Sequence, residues 1–265
     1  MVKKIDSSDN SFIKKLSSLK LKKYRDKEGL YLTEGLRICQ DILSDKEKNE
    51  YIEKIILSEK NEHLLSMDPF IFYREKVIII NEKLEKEITD TVTSQGVFLL
   101  LKKPLVRIEE KIDTYNRLLV LDHISDPGNM GTIIRTGLAA KFDAVISLKG
   151  SVDMYNPKVV RATMGAINKI DTYDDLTEDL LFPMIRKKDF KVLAGDIEGN
   201  RTIYDDFPEE KIALVMGSEA KGLDVSKEYI DLKLTIPMNE ESESLNVSVA
   251  AGILMYAINK SRFEK

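Results

Sequence analysis

Cysteine occurs once in these 265 residues, as Cys39, and histidine twice, as the widely separated His63 and His123. One thiol cannot close an intramolecular disulfide, and two scattered imidazoles with one thiol fall short of a Cys/His zinc site. No metal is expected, and a reducing, cytoplasmic setting fits that usage. Long apolar runs are lacking too. Val247 to Ile258, the nearest to a membrane span, is broken by Ser248 and Gly252, and the opening MVKKIDSSDN has no apolar core for a secretory signal. A soluble, intracellular protein with no membrane partner is the expectation. There is no G-x-G-x-x-G after the first strand of the second half and no G-x-x-x-x-G-K-[ST], so dinucleotide and P-loop sites lose their usual fingerprints. Without a G-x-S-x-G elbow, a Ser/His/Asp relay would depend on one of those two histidines. Internal repeats and low-complexity segments are absent. A formal net charge of −4 announces no nucleic-acid partner for the chain as a whole.

What is present is globular, with 43% hydrophobic and 32% charged residues. Charge is uneven. Lys3, Lys4, Lys14, Lys15, Lys20, Lys22, Lys23, Arg25 and Lys27 crowd the N-terminal end against Asp6, Asp9 and Asp26. Asn10 can cap a helix with Phe12, Ile13, Leu16 and Leu19 on one face and lysines on the others. Lys22, Lys23, Tyr24 and Arg25 form a mixture that can stack on bases and neutralise phosphates. The same pattern also suits a solvated helix face with a core tyrosine. Leu30 to Leu32, Ile55 to Leu57, Val77 to Ile80 and Val97 to Leu101 read as strands, with a helix over Leu36 to Leu43 and polar helical stretches after the second and third strands. Residues 1–105 thus read as a small α/β domain, followed by a linker over residues 106–116.

Residues 117–265 repeat the alternation. Leu118 to Leu121 reads as a strand, Asp126-Pro127-Gly128-Asn129 as a turn, and the following segment as a helix carrying Arg135. Pro127 fixes its own φ, Gly128 permits a positive one, and Asn129 can cap the helix. Further strands are expected over Ala144 to Leu148, Val192 to Ala194, Ala213 to Met216 and Leu232 to Ile236. Helices are expected near Asn129 to Ala140, Pro157 to Met164, Asp179 to Lys187 and Leu245 to Lys260. Strands this apolar belong in a mainly parallel sheet covered on both faces. Three polar turns follow successive strands: DPGNMGTIIR, MGSEAKGLD at Met216 to Asp224, and IPMNEESESLNVSVA at Ile236 to Ala250. Parallel strands end on one edge, where open α/β sheets bind ligands. Asn129, Arg135, Gly217, Glu219, Gly222, Ser244 and Asn246 could therefore converge, although any α/β protein has turns there.

Together the three turns resemble the three motifs of the SpoU (TrmH) family of RNA ribose 2′-O-methyltransferases, within the SPOUT class. Asn129, Gly131 and Arg135 match the first motif; Gly217, Glu219 and Gly222 the second; Pro237, Ser244, Leu245, Asn246 and Ala250 the third. Asp153 to Ala162 is similar to the family's stretch between motifs. Tyr24-Arg25 and Leu32-Thr33-Glu34-Gly35 resemble the ribosomal-protein-like RNA-binding domain of rRNA-modifying members.

The resemblance implies an α/β-knot domain with a C-terminal trefoil knot, S-adenosyl-L-methionine as cofactor, and a homodimer through the C-terminal domain. Gly195, Met216, Gly217, Gly222, Ile236, Met238, Ser244, Leu245 and Asn246 would hold the cofactor. Arg135, Asn129, Glu219, Ser244 and Asn246 would serve the chemistry. Lys22, Lys23, Tyr24, Arg25, Arg135 and Arg161 would meet RNA. Its substrate would be rRNA, 23S rRNA above all. The alternatives are a tRNA 2′-O-methyltransferase and a non-catalytic RNA-binding or ribosome-assembly factor of the same fold. Two positions depart from the pattern: Glu240 stands where many relatives have glycine, within an acidic Glu240-Glu241-Ser242-Glu243, and Lys141 stands after the first helix where glycine is common.

Overall fold

A computed structural model describes residues 2–207, 210–218 and 222–263. It divides into two compact units, Met1–Leu105 with Tyr155–Pro157, and Val106–Met154 with Lys158–Lys265.

The first unit runs β1 (Lys3–Ile5), α1 (Ser11–Ser18), α2 (Lys22–Glu28), β2 (Leu30–Glu34), α3 (Leu36–Ser44), β3 (Ile52–Ser58), β4 (Val77–Ile80), α4 (Glu82–Ile88) and β5 (Val97–Lys102). Its sheet has the order β1-β4-β3-β5-β2, with β5 antiparallel to both neighbours and the other pairs parallel. Asn10 caps α1 through Oδ1, which accepts from Phe12 N at 2.9 Å. Ile13, Leu16 and Leu19 are buried in one cluster with Ile56, Phe98 and Leu100. The stretch after β3 is not the helix that its polarity suggests. It consists of 3-10 turns over Glu59–Ser66 and Phe70–Lys76, with Pro69, which has no N–H to donate, between them. β1 escaped prediction because it is short, and both of its lysines are exposed.

The second unit runs α5 (Ile108–Lys111), β6 (Arg117–Leu121), α6 (Pro127–Ala139), β7 (Ala144–Leu148), α7 (Pro157–Ala162), β8 (Asp171–Leu176), α8 (Glu178–Arg186), β9 (Lys191–Gly195), β10 (Arg201–Thr202), β11 (Ile212–Met216), β12 (Leu232–Thr235) and α9 (Val247–Ile258). The sheet order is β10-β12-β9-β11-β6-β7-β8, and its pairings are parallel. Alternate residues of β6 go to opposite faces. Leu118 and Val120 join Leu181, Phe182 and Ile185 of α8 in one core, while Leu119 faces α6, where a Cβ on Gly137 would lie 3.5 Å from its Cδ2. α9 packs on α6. Such cover on both faces explains why the central strands are apolar throughout.

Two expectations need correction. Residues 106–116 are not a linker: they carry α5 and a 3-10 turn over Ile112–Thr114, and Ile108, Ile112 and Tyr115 are buried in the core of the second unit. β8 was missed because DTYDDL alternates imperfectly and carries three acids, which its edge position tolerates.

Gly131 shows how closely α6 approaches α7, since a Cβ there would fall 2.4 Å from Ala162 Cβ and 2.9 Å from Val159 O. Alanine is worth about 1 kcal/mol over glycine inside a helix, whereas overpacking costs about 1–3 kcal/mol. Gly131→Ala is therefore expected to lower the free energy of urea unfolding. A gain near 1 kcal/mol would show that the helices part at no cost.

Candidate active site

β9, β11 and β12 end side by side, and the turns that leave them enclose a cavity of about 410 Å³. Gly195, Met216, Gly217, Gly222, Ile236, Met238, Ser244 and Leu245, all expected from the sequence, line it. Asn246 is not among the lining residues, and Glu219 lies outside the described residues. Asp196, Ile197, Glu198 and Leu254 also line the cavity and went unforeseen, although the first three simply continue the turn that begins at Gly195; Ser218 and Leu223, inside the turn from Met216 to Asp224, line it too. Its size falls within the range of about 300–1,000 Å³ usual for small-molecule sites.

The glycines have different reasons to be glycine. A Cβ on Gly217 would meet Gly222 O at 2.3 Å, so this position must be bare for the turn to close on itself. Gly222 has open space around it but a φ of +69°, which L side chains rarely adopt. Neither constraint is the direct crowding against a ligand that the motif suggests. Lys141 likewise takes a φ of 60°, the conformation that makes glycine common after this helix, and its Nζ donates to Arg262 O at 2.9 Å.

Charge at the cavity is negative. Asp196 pairs with Lys233 at 2.5 Å and accepts from Glu198 N at 2.9 Å. Partial burial opposes ionisation of its carboxyl, but the Lys233 and Glu198 hydrogen bonds outweigh that and hold it below the usual carboxylate range. Glu240, Glu241 and Glu243 add exposed carboxylates on the turn that follows β12.

Asn129 and Asn246 meet directly, Asn246 Nδ2 donating to Asn129 Oδ1 at 3.0 Å. The cap of α6 is Asp126 rather than Asn129: Asp126 Oδ1 accepts from Asn129 N at 2.7 Å, and Pro127 and Gly128 are already helical, so Gly128 needs no positive φ. Asn129 thereby keeps its side chain for Asn246. Asn246 caps α9, its Oδ1 accepting from Ser248 N at 3.0 Å, and Ser244 two residues earlier faces the cavity. Arg135 stands on α6 six residues beyond Asn129, roughly 9 Å along the axis. It is exposed, makes no ion pair among the described residues, and is not a lining residue. Arg161, on α7, is half-buried.

In the first unit, Lys22 and Tyr24 are half-buried and Lys23 is exposed, its Nζ 4.8 Å from the centre of the Tyr24 ring. Arg25 does not belong with them. It is 2% exposed, and its Nη1 donates to Leu19 O at 2.6 Å, bracing the break between α1 and α2. Lys14, Lys15 and Lys20 pair with Asp9, Glu28 and Asp90, which blunts the basic face expected of α1.

Comparison with known proteins places this geometry. Residues 116–256 match the SpoU rRNA Methylase family and residues 10–99 the MRM3-like substrate binding domain. The chain is 30% identical over 257 residues to the 23S rRNA (guanosine(2553)-2′-O)-methyltransferase RlmP of Bacillus subtilis (strain 168), a match spanning 96% of this chain and 98% of that one. Similarity to the mitochondrial rRNA methyltransferase 3A of Danio rerio is 28% over 96% of this chain and 69% of that one. The crystal structure of an AdoMet-bound rRNA methyltransferase from Sinorhizobium meliloti superposes with a TM-score of 0.84 at 26% identity, over 100% of this chain and 99% of that one.

Asn246 has two separable tasks. Asn246→Ala, which removes both, is expected to cost about 1 kcal/mol of unfolding free energy, whereas Asn246→Asp keeps the acceptor for Ser248 N and should stay within about 0.5 kcal/mol of the parent. Equal losses in chemical denaturation would assign the stability to the Asn129 bond instead.

Proposed function

The chain belongs to the SpoU rRNA methylase family, and on that premise we propose that it transfers a methyl group from S-adenosylmethionine to a ribose 2′-hydroxyl of rRNA, 23S rRNA in particular. The observation that carries this reading is the cavity at the ends of β9, β11 and β12, lined by eight residues that the family resemblance implied for the cofactor. Its lining suits the cofactor. Ile236, Met238, Leu245 and Leu254 offer apolar contact to an adenine, the bare backbone at Gly195, Gly217 and Gly222 offers hydrogen bonds, and the carboxylates of Asp196 and Glu198 suit a cationic ligand with hydroxyl groups. Bound there, S-adenosylmethionine supplies a sulfonium methyl, an electrophile that needs no further activation.

The task left to the chain is to align a ribose hydroxyl with that methyl, so that the O–CH3 bond forms as the S–CH3 bond breaks to leave a neutral thioether and the hydroxyl proton passes to solvent. Arg135 is suited to holding the phosphate beside the target ribose, because a guanidinium carries donors only and keeps its proton. The Asn129–Asn246 bond ties the first turn of α6, which carries Arg135, to the turn bearing Ser244, and so couples the ribose side to the cofactor side. Lys22, Lys23 and Tyr24 in the first unit, with Arg161 in the second, would add RNA contacts. The match to an MRM3-like substrate binding domain supports rRNA over tRNA.

Three finer features belong to the same proposal. Insertion of β11 between β6 and β9 supports a chain threaded as a trefoil knot. Val249 and Tyr256, seven residues apart on α9, are exposed at 50% and 46%, and Tyr256 stacks on Phe263 at 5.4 Å, which supports a second copy docking on this helix to form a homodimer. The single buried cysteine supports a reducing, cytoplasmic location.

The test is to titrate the protein with S-adenosylmethionine by calorimetry and to map 2′-O-methylation in rRNA and tRNA from cells with and without the gene. Binding and an rRNA site that vanishes with the gene are expected; a vanished tRNA site would move the substrate. Arg135→Ala should bind cofactor normally but lose methyl transfer by roughly 100-fold or more, and near-normal turnover would remove Arg135 from the site. Charge reversal at Lys22 and Lys23 should weaken RNA binding and lower the salt slope by about 2, with cofactor affinity unchanged. An unchanged slope would make this surface merely solvated.

A further inference from the structure

Asp122 immediately follows β6 and is 2% exposed, yet it is no bystander in an apolar core. Its Oδ2 accepts from Asp224 N at 2.7 Å and from Val225 N at 3.2 Å, and its own N–H donates to Met216 O at 2.9 Å. One residue therefore grips the segment between Met216 and Val225 at both ends, its entry through the backbone and its exit through the carboxylate. Between the grips lie Met216, Gly217, Ser218, Gly222 and Leu223, all of which line the cavity. Gly222 N donates to Ser218 O at 2.8 Å. Taking a carboxylate out of water is costly unless charge-assisted hydrogen bonds replace its hydration, and here two backbone N–H groups do so.

The other oxygen, Oδ1, lies 2.7 Å from His123 Nδ1. His123 is itself constrained. Its φ is 54°, Gly150 leaves room for its ring where a Cβ would fall 2.6 Å from Nε2, and Nε2 is 3.7 Å from Asp224 Oδ2. The imidazole thus bridges the carboxylate that makes the tether and the side chain of a residue it holds.

We propose that Asp122 is a positioning residue: together with His123 it tethers Met216 on one side and Asp224 with Val225 on the other, so that the cavity wall formed by Met216 to Ser218 and by Gly222 and Leu223 is set before the cofactor arrives. A preset wall spares the ordering cost of binding, so the tether acts on affinity rather than on the methyl-transfer step. The inference rests on reading the cavity as the cofactor site.

The experiment compares wild type, Asp122→Ala and Asp122→Asn by calorimetric titration with S-adenosylmethionine, by methyl-transfer kinetics and by amide hydrogen exchange. Asp122→Ala is expected to raise the Kd about tenfold, to change kcat at saturating cofactor by less than about threefold, and to speed exchange at Asp224 and Val225 while other core amides stay protected. Asp122→Asn should restore most of the affinity. Its amide oxygen can still accept from both N–H groups, and its NH2 can face a His123 whose proton sits on Nε2. If wild type binds the cofactor and Asp122→Ala binds it equally well, the tether is overturned and the cofactor reading stands. If wild type itself does not bind, both fall together. Should Asp122→Ala fail to fold, cofactor-free wild type decides: protection of the Asp224 and Val225 amides before S-adenosylmethionine is added supports the tether, and exchange at the unprotected rate until the cofactor binds overturns it.

Discussion

Everything in the second unit depends on where β11 lies. It hydrogen-bonds in parallel to β6 on one side and β9 on the other, with Met216 opposite Leu121 and Val215 opposite Ala194. The chain therefore builds β6, β7 and β8 outward in one direction, then places β9 far enough away that a later strand can enter beside β6. That is a topological switch, and a switch in a parallel sheet opens a crevice at the carboxyl ends of its strands. The cavity is the consequence. Its walls are the turns after β9, β11 and β12, and its other side is the start of α9, whose cap, Asn246, reaches to α6.

The same arrangement explains which residues are bare and which are charged. Close approach of backbones at the strand ends leaves no room for a side chain at Gly217 and demands a left-handed residue at Gly222. Close approach of helices beneath them does the same at Gly131. Charge is excluded from the central strands and returns at their ends, where Asp122 and Asp196 each find backbone donors. A carboxylate at such a position does structural work that an apolar residue could not, because free N–H groups converge where strands stop.

Much of this was legible in the sequence. Ala144 to Leu148 is bounded as its apolar run suggests, and β6, β9, β11 and β12 fall within a residue of theirs, most simply β11, which is buried along its whole length and apolar throughout. The cavity residues were legible only because three motifs could be read jointly; singly, Ser244 or Gly222 is an ordinary turn residue. What was hidden has a common cause. Arg25 sits among lysines in the sequence, but helix periodicity from α1 does not survive the break at Leu19 to Leu21, so its inward direction could not be read. Asp122 gave a single signal, an acid closing an apolar strand, and the partners that give it a purpose lie about a hundred residues downstream. Residues 106–116 begin with a polar turn and so mimic a linker, while Ile108 and Ile112 are deep in the core.

Electrostatics divides the molecule's tasks in a way that the net charge conceals. Lys14 and Lys15 on α1 and Lys20 just beyond it are matched to Asp9, Glu28 and Asp90, so attraction to a polyanion would rest on a few cations such as Lys23 of α2 rather than on the whole cluster. At the other extreme, the cavity is edged by Asp196 and Glu198, with Glu240, Glu241 and Glu243 on the turn above. Lys233 offsets Asp196, so Glu198 and the exposed carboxylates on the turn after β12 carry the negative charge on this side. Arg135, exposed on α6, is not among the residues that line the cavity. The acidic turn departs from the family pattern at Glu240 and leaves three exposed carboxylates after β12.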